Sequence, residues 1–199
     1  MRNATTKFLF TILLLGASSA AFAHPGHNVS GLAAGLIHPF SGLDHLLAMV
    51  AVGLWAAQSY RSNRGGGRKI WLLPATFMVM LVVGSGIAMQ WQSLPLVEPG
   101  IAASVLALGL LVALSLQLPA MLSVAITALF GLLHGYAHGL ELPQSAAPAA
   151  YALGFLAATA SLHLSGIAAG IATRQRYVLL SRLMGSAIAI SGAYLLASA

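Results

Sequence analysis

The chain of 199 residues contains no cysteine and only three acidic residues, Asp44, Glu98 and Glu141. Without cysteine there is no disulfide, thiolate metal site, iron–sulfur cluster or thiol nucleophile, so any bound metal has to be held by nitrogen and oxygen atoms. Charged residues make up 6% of the chain, hydrophobic residues 59%, and the mean hydropathy is +0.89. This composition excludes an ordinary water-soluble domain and indicates a membrane protein that crosses the bilayer several times.

The N-terminus has the pattern of a secretory signal peptide. Two basic residues precede a short apolar run, and an Ala-Phe-Ala cleavage site ends at Ala23. We therefore expect a cleavable signal peptide at residues 1–23 and one membrane domain at residues 24–199. The alternative is an uncleaved first membrane helix, which the shortness of the apolar run disfavours.

Six apolar segments follow, each long enough to cross a bilayer, for which a helix needs about 20 residues. Only helices and closed barrels satisfy the backbone in lipid, and the gaps leave no room for another domain. The predicted fold class is therefore all-α and integral to the membrane, a six-transmembrane-helix bundle after the signal peptide. The spans are predicted at about residues 31–59, 70–90, 99–118, 120–140, 149–172 and 177–198.

The basic residues predict how the bundle is oriented. All those beyond the signal peptide lie after the first predicted span or around the start of the sixth. Basic residues mark the cytoplasmic side, and a signal peptide followed by six crossings leaves both termini outside, which in a Gram-negative bacterium is the periplasm. This placement also explains the positive net charge, and we expect membrane lipid as a partner and no nucleic acid.

The first cluster of chemistry-bearing residues is His38, Asp44 and His45 in an otherwise apolar stretch. Ionisable groups are expensive in a bilayer, which favours a functional role over a structural polar cluster. On a straight helix the two histidines would lie about 10 Å apart, too far for one ion. Pro39 and Gly42 favour a break that brings them together. Asp44 is either a ligand or the partner that orients a histidine.

The second cluster is His134, His138 and Glu141, whose spacing places them on one face of the fourth predicted span. A histidine pair four residues apart can chelate one ion, although Glu141 also has the alternative of a solvated residue at a helix end. The predicted topology brings this cluster to the same side of the membrane as the first. Imidazole and carboxylate suit nickel, cobalt and zinc alike, so these residue types do not choose among the three.

Three further histidines extend this interpretation. His163 lies near the middle of the fifth predicted span, where it is either a deeper relay ligand or a partner that hydrogen-bonds another helix. His24 and His27 lie at the expected mature N-terminus, on an arm suited to capturing a metal from the periplasm, although His27 has the alternative of a solvated terminal residue.

The stretch from His38 to Met49, HPFSGLDHLLAM, resembles the signature of the HupE/UreJ family, and the block from His134 to Glu141 is also similar to that family. The resemblance covers essentially the whole chain. It implies an inner-membrane permease for nickel, or in some members cobalt, with a functional link to the maturation of hydrogenase or urease. The broader nickel/cobalt permeases are less similar, because they carry H-x4-D-H where this chain has H-x5-D-H.

Together these observations predict a secondary transporter that imports Ni²⁺ or Co²⁺, is not an enzyme and holds no permanent cofactor. The sequence contains no P-loop, so ATP is not the expected energy source. Two alternatives remain at this point. One is a membrane sensor or accessory protein that binds metal without moving it, and the other is a cytochrome with two axial histidines.

Overall fold

The computed structural model describes residues 31–62, 70–90, 96–141, 147–173 and 178–199, with side chains described up to residue 59 in the first range. The expected signal peptide, His24 and His27 lie outside the described residues. Within these ranges the chain is entirely helical, as predicted. The helices are α1 (Gly31–Ser41), α2 (Leu43–Ser62), α3 (Leu72–Ala88), α4 (Val97–Ala113), α5 (Ala120–Leu140), α6 (Pro148–Thr173) and α7 (Val178–Ser198).

The segment predicted as one span at residues 31–59 is a pair of helices that meet at an angle of 82°. Pro39 lies inside α1 and Gly42 separates the two helices. The hydroxyl of Ser41 donates to the carbonyl of His38 at 2.6 Å, and the first turn of α2 is closed by the Leu46 N–H, which donates to the Gly42 carbonyl at 3.1 Å. The expected break is therefore present, at Gly42.

Three helices of the described residues, α5, α6 and α7, are long and apolar enough to cross a membrane, and the bent α1–α2 pair makes a fourth if it is one span. The apolar helices α3 and α4 have 17 residues each, fewer than predicted. The end of α4 has a local cause: Ser115 has a left-handed φ of 53°, and its N–H donates to Val112 at 3.1 Å. Such a residue ends a helix, so the span predicted at 99–118 stops at Ala113.

The helices pack mainly in pairs, with α1 and α2 against α6, α3 against α5, and α4 against α7. Glycines allow this close approach. A Cβ on Gly53 of α2 would meet the backbone oxygen of His163, and a Cβ on Gly166 of α6 would meet that of Val50. Nearly all of α2 between residues 48 and 57 is buried, so α2 is the central helix of the bundle.

Candidate metal centre

His38, His138 and Glu141 form a group at the partly exposed end of the bundle, which we call the entrance group. Glu141 Oε2 lies 3.0 Å from His38 Nε2 and 3.3 Å from His138 Nδ1. One ligand atom from each residue lies within 4.8 Å of the other two. His38 belongs to α1, whereas His138 lies in the last turn of α5 and Glu141 directly follows that helix. Glu141 and His38 are 103 residues apart in the sequence. Two imidazoles and a carboxylate at this spacing can hold one divalent ion.

Glu141 directly follows Leu140, the last residue of α5. Its interactions with His138 and His38 hold the pKa of this carboxyl well below its usual range. The cause is that imidazole N–H groups facing the carboxylate favour its ionised form. Glu141 therefore stays negatively charged at any physiological pH and is ready to meet a cation.

His45 lies directly behind the entrance group. Its ring centroid is 4.0 Å from that of His138 and 6.5 Å from that of His38, so the bend at Gly42 has brought the two motif histidines together. Asp44 Oδ1 accepts hydrogen bonds from the Nδ1 of His45 at 2.7 Å and from its backbone N–H at 2.8 Å. A carboxylate only accepts, so Nδ1 carries the proton and the Nε2 of His45 presents a lone pair. In this geometry Asp44 is the residue that orients His45.

Two deeper histidines repeat this arrangement with backbone carbonyls as acceptors. The Nδ1 of His134 donates to the Phe130 carbonyl at 2.9 Å, and the Nδ1 of His163 donates to the Met49 carbonyl at 2.8 Å. Both side chains are almost wholly buried. Their Nε2 atoms have no hydrogen-bond partner among the described residues, which is rare for buried nitrogen atoms. This is the arrangement of a histidine prepared to bind a metal through Nε2.

The rings form a continuous row from the exposed end into the core. His38 lies 4.9 Å from His138, and His45 lies 5.3 Å from His134, measured between ring centroids. Phe77 of α3 continues the row, 5.4 Å from His134 and 5.3 Å from His163. From the exposed end inward, the order of the rings is therefore His38, His138, His45, His134, Phe77 and His163.

Several aromatic residues of this site were not predicted from the sequence. Phe155 lies 4.2 Å from the His138 ring, and Tyr151 lies 5.8 Å from the His38 ring. Both also line a cavity of about 90 Å³ beside His138, together with Ser85. No sequence signal distinguishes these residues or Phe77, because an aromatic residue in an apolar helix has the pattern of ordinary packing.

Comparison with known proteins bears on this arrangement. The family model described as HupE / UreJ protein matches residues 12–195. The chain belongs to the HupE/UreJ family. Protein HupE of Rhizobium leguminosarum bv. viciae is 40% identical over 192 residues, which cover 96% of this chain and 97% of the relative. No solved structure matches the chain.

Membership of the HupE/UreJ family confirms the resemblance of the two histidine blocks. The family is membrane-associated and connected with nickel and cobalt transport, and it is a transporter or accessory family rather than a known enzyme family. Within the entrance group Glu141 is exposed and His38 is partly buried, whereas His138 is buried.

Proposed function

We propose that the protein is a permease that imports Ni²⁺, with Co²⁺ as a second substrate, across a bacterial inner membrane for the maturation of hydrogenase or urease. The observation that carries the proposal is the row of five histidines, in which three buried imidazoles present an Nε2 lone pair. A row with successive sites supports transport better than a single closed site, because an ion needs a next ligand in order to leave.

The steps follow the order of the row. A hydrated ion exchanges water for the imidazoles of His38 and His138 and the carboxylate of Glu141, which compensates its positive charge. It then passes to His45, whose ring is within 4.0 Å of His138, and onward to His134. His163 is the deepest ligand. We propose that His24 and His27 capture the ion before it reaches the entrance group.

The entrance group faces the periplasm in the topology that we propose. The chain loses a signal peptide at residues 1–23 and then crosses the inner membrane six times, with the α1–α2 pair as the first span and both termini outside. The 17-residue helices α3 and α4 are at the lower limit for a crossing, which supports their inclusion. Movement without a P-loop is secondary transport, and an inside-negative membrane potential favours inward movement of a divalent cation.

The test is uptake of radioactive Ni²⁺ into proteoliposomes that contain the purified protein. His45→Ala should abolish saturable uptake, because it removes the ligand that links the entrance group to His134. Glu98→Gln is the matched control, since Glu98 is an exposed acidic residue in the first turn of α4. Competition by Co²⁺ and Zn²⁺ ranks the substrates. Binding of Ni²⁺ without uptake by the wild type would contradict the proposal and indicate a sensor or accessory protein.

A further inference from the structure

Phe77 divides the histidine row into two parts. Its side chain is fully buried, and its ring centroid lies 5.4 Å from that of His134 and 5.3 Å from that of His163, at an interplanar angle of 83° to His163. Within the described ranges, it is the ring that joins these two histidines. An ion bound by an imidazole lies about 2 Å from the nitrogen, so two imidazoles separated by a phenyl ring do not share one ion.

Unpartnered polar atoms lie in both parts of the row. His134 belongs to the outer part of the row and His163 to the inner part, and the Nε2 of neither has a partner in the part of the chain that the structure describes. Thr159 precedes His163 by one turn of α6, and its buried hydroxyl is equally unpartnered among those residues. Because buried polar atoms are normally hydrogen-bonded, both regions are suited to an ion or water, whereas the ring between them is apolar.

The backbone at Phe77 is held in place. A Cβ on Gly131 of α5 would lie 2.6 Å from the Phe77 carbonyl oxygen and 3.0 Å from its Cα. The two helices touch here with nothing between them, so α3 cannot move toward α5 at this level. With the backbone held, opening at this level requires rotation of the Phe77 side chain.

We propose that Phe77 is the gate of the ion path. In the position seen here its ring closes the passage between the outer histidines and His163, and rotation of the side chain opens it for one ion at a time. An apolar constriction of this kind excludes water and ions until it widens. The inference rests on the proposed function in that the path carries a metal ion, but the closure itself can be tested without transport.

The first experiment measures access to position 163. The chain has no cysteine, so His163→Cys and His134→Cys each provide a single thiol. A membrane-impermeant cationic methanethiosulfonate reagent is applied from the outside, and modification is followed by mass spectrometry. Cys at position 134 should react equally with Phe77 or with Phe77→Ala. Cys at position 163 should react at least about tenfold faster when Phe77→Ala is present, because modification follows the population of the open form.

Leu108→Ala is the matched control, since Leu108 is also a fully buried core residue but has no ring contact in the row. An equal increase at position 163 in the Leu108→Ala background would overturn the proposal, because general loosening of the core would explain it. No increase with Phe77→Ala or with the milder Phe77→Leu would also overturn it.

The second experiment measures transport and binding together. Phe77→Trp should lower the rate of Ni²⁺ uptake by about tenfold or more while leaving Ni²⁺ affinity at the entrance group within about twofold, because only the passage is narrowed. Equal losses of affinity and uptake would mean that Phe77 only supports the structure of the site, and the proposal that it is a gate would be wrong. Absence of uptake in the wild type would overturn the proposed function alone, since the labelling experiment still decides whether Phe77 closes the path.

Discussion

The tautomers of three buried histidines, His45, His134 and His163, are set by neighbouring oxygen atoms. Asp44, the Phe130 carbonyl and the Met49 carbonyl each accept a hydrogen bond from an Nδ1. Such acceptors fix both the ring orientation and the position of the proton, so each Nε2 is available to a metal. A histidine without this support would rotate and lose affinity.

The role of Asp44 leads to a first prediction. Asp44→Asn should weaken Ni²⁺ binding by about 10-fold to 100-fold, because the neutral amide no longer holds His45 in the metal-binding orientation. Equilibrium dialysis of the purified protein against Ni²⁺ measures this. Glu98→Gln should bind as the wild type does, and a comparable loss in both variants would show that Asp44 acts only through net charge.

A second prediction concerns pH. Ni²⁺ affinity should fall as the pH drops through the range in which the imidazoles take up protons, because an imidazole has to be neutral to bind a metal. Glu141 does not cause this loss. Folding lowers the pKa of the Glu141 carboxyl, so this group stabilises the fold at any pH above the pKa that it has in the unfolded chain. That stabilisation is lost only in stronger acid, as the pH falls through the lower pKa of the folded protein.

Titration of Ni²⁺ binding between pH 5 and 8 with Glu141→Gln separates the two groups. The variant should bind more weakly than the wild type at neutral pH but lose affinity over the same pH range. A wild-type loss confined to the acid range of carboxylates would contradict the prediction.

Sequence reasoning at this scale predicted the histidines that the structure brings together but not their neighbours. His38, His45 and His138 were expected to converge, since their spacing and an assumed break in the first span required it. Phe77 and the two carbonyl acceptors were not expected. Backbone oxygens carry no sequence signal, and their partners depend on how α2, α5 and α6 pack.

Among the elements, the bend between α1 and α2 does most to form the site, because it turns His38 toward His45 and His138. Proline and glycine in the sequence predicted the break, but nothing in them specified an angle of 82°. The lengths of α3 and α4 were overestimated because apolar residues continue into the turns that follow them. Hydropathy does not detect a left-handed residue such as Ser115.

The contact between α3 and α5 leads to a third prediction. A Cβ on Gly84 would meet the backbone oxygen of Leu132 and lie 2.8 Å from the Tyr136 nitrogen, whereas a Cβ on Gly86 would have nothing within 4 Å. Gly84→Ala should therefore lower the free energy of unfolding by about 1–3 kcal/mol. Gly86→Ala in the same helix should leave it unchanged or raise it by up to about 1 kcal/mol. Thermal unfolding in detergent compares the two, and equal effects would refute the close contact.

For the whole molecule, the distribution of apolar side chains supports a bundle surrounded by lipid. Large residues such as Met121, Leu179 and Ile190 are mostly exposed, while four of the five histidines of the row are buried. Composition alone predicted this helical membrane architecture. It did not predict the pairing of helices, since small residues occur in every span and the order of packing depends on which of them face each other.

The proposed six crossings lead to a fourth prediction. Single cysteines at Gln117, between α4 and α5, and at Ser198, at the end of α7, should lie on opposite sides of the membrane. Because the wild type has no thiol, an impermeant maleimide should label Ser198→Cys in intact spheroplasts and should label Gln117→Cys only after the membrane is opened. Labelling of both in intact spheroplasts would place the two positions on one side of the membrane and would contradict the three crossings, α5 to α7, that we propose between them.

The distance in sequence between His38 and Glu141 also has a consequence for biosynthesis. A ribosome that has inserted only the first helices has produced His38 without its two partners, which arrive at the end of α5. The nascent chain therefore cannot hold a metal ion at the entrance while the bundle is incomplete. The entrance group is complete only once α5 has packed beside α1 and α2, so unfinished copies of the protein lack this three-residue site.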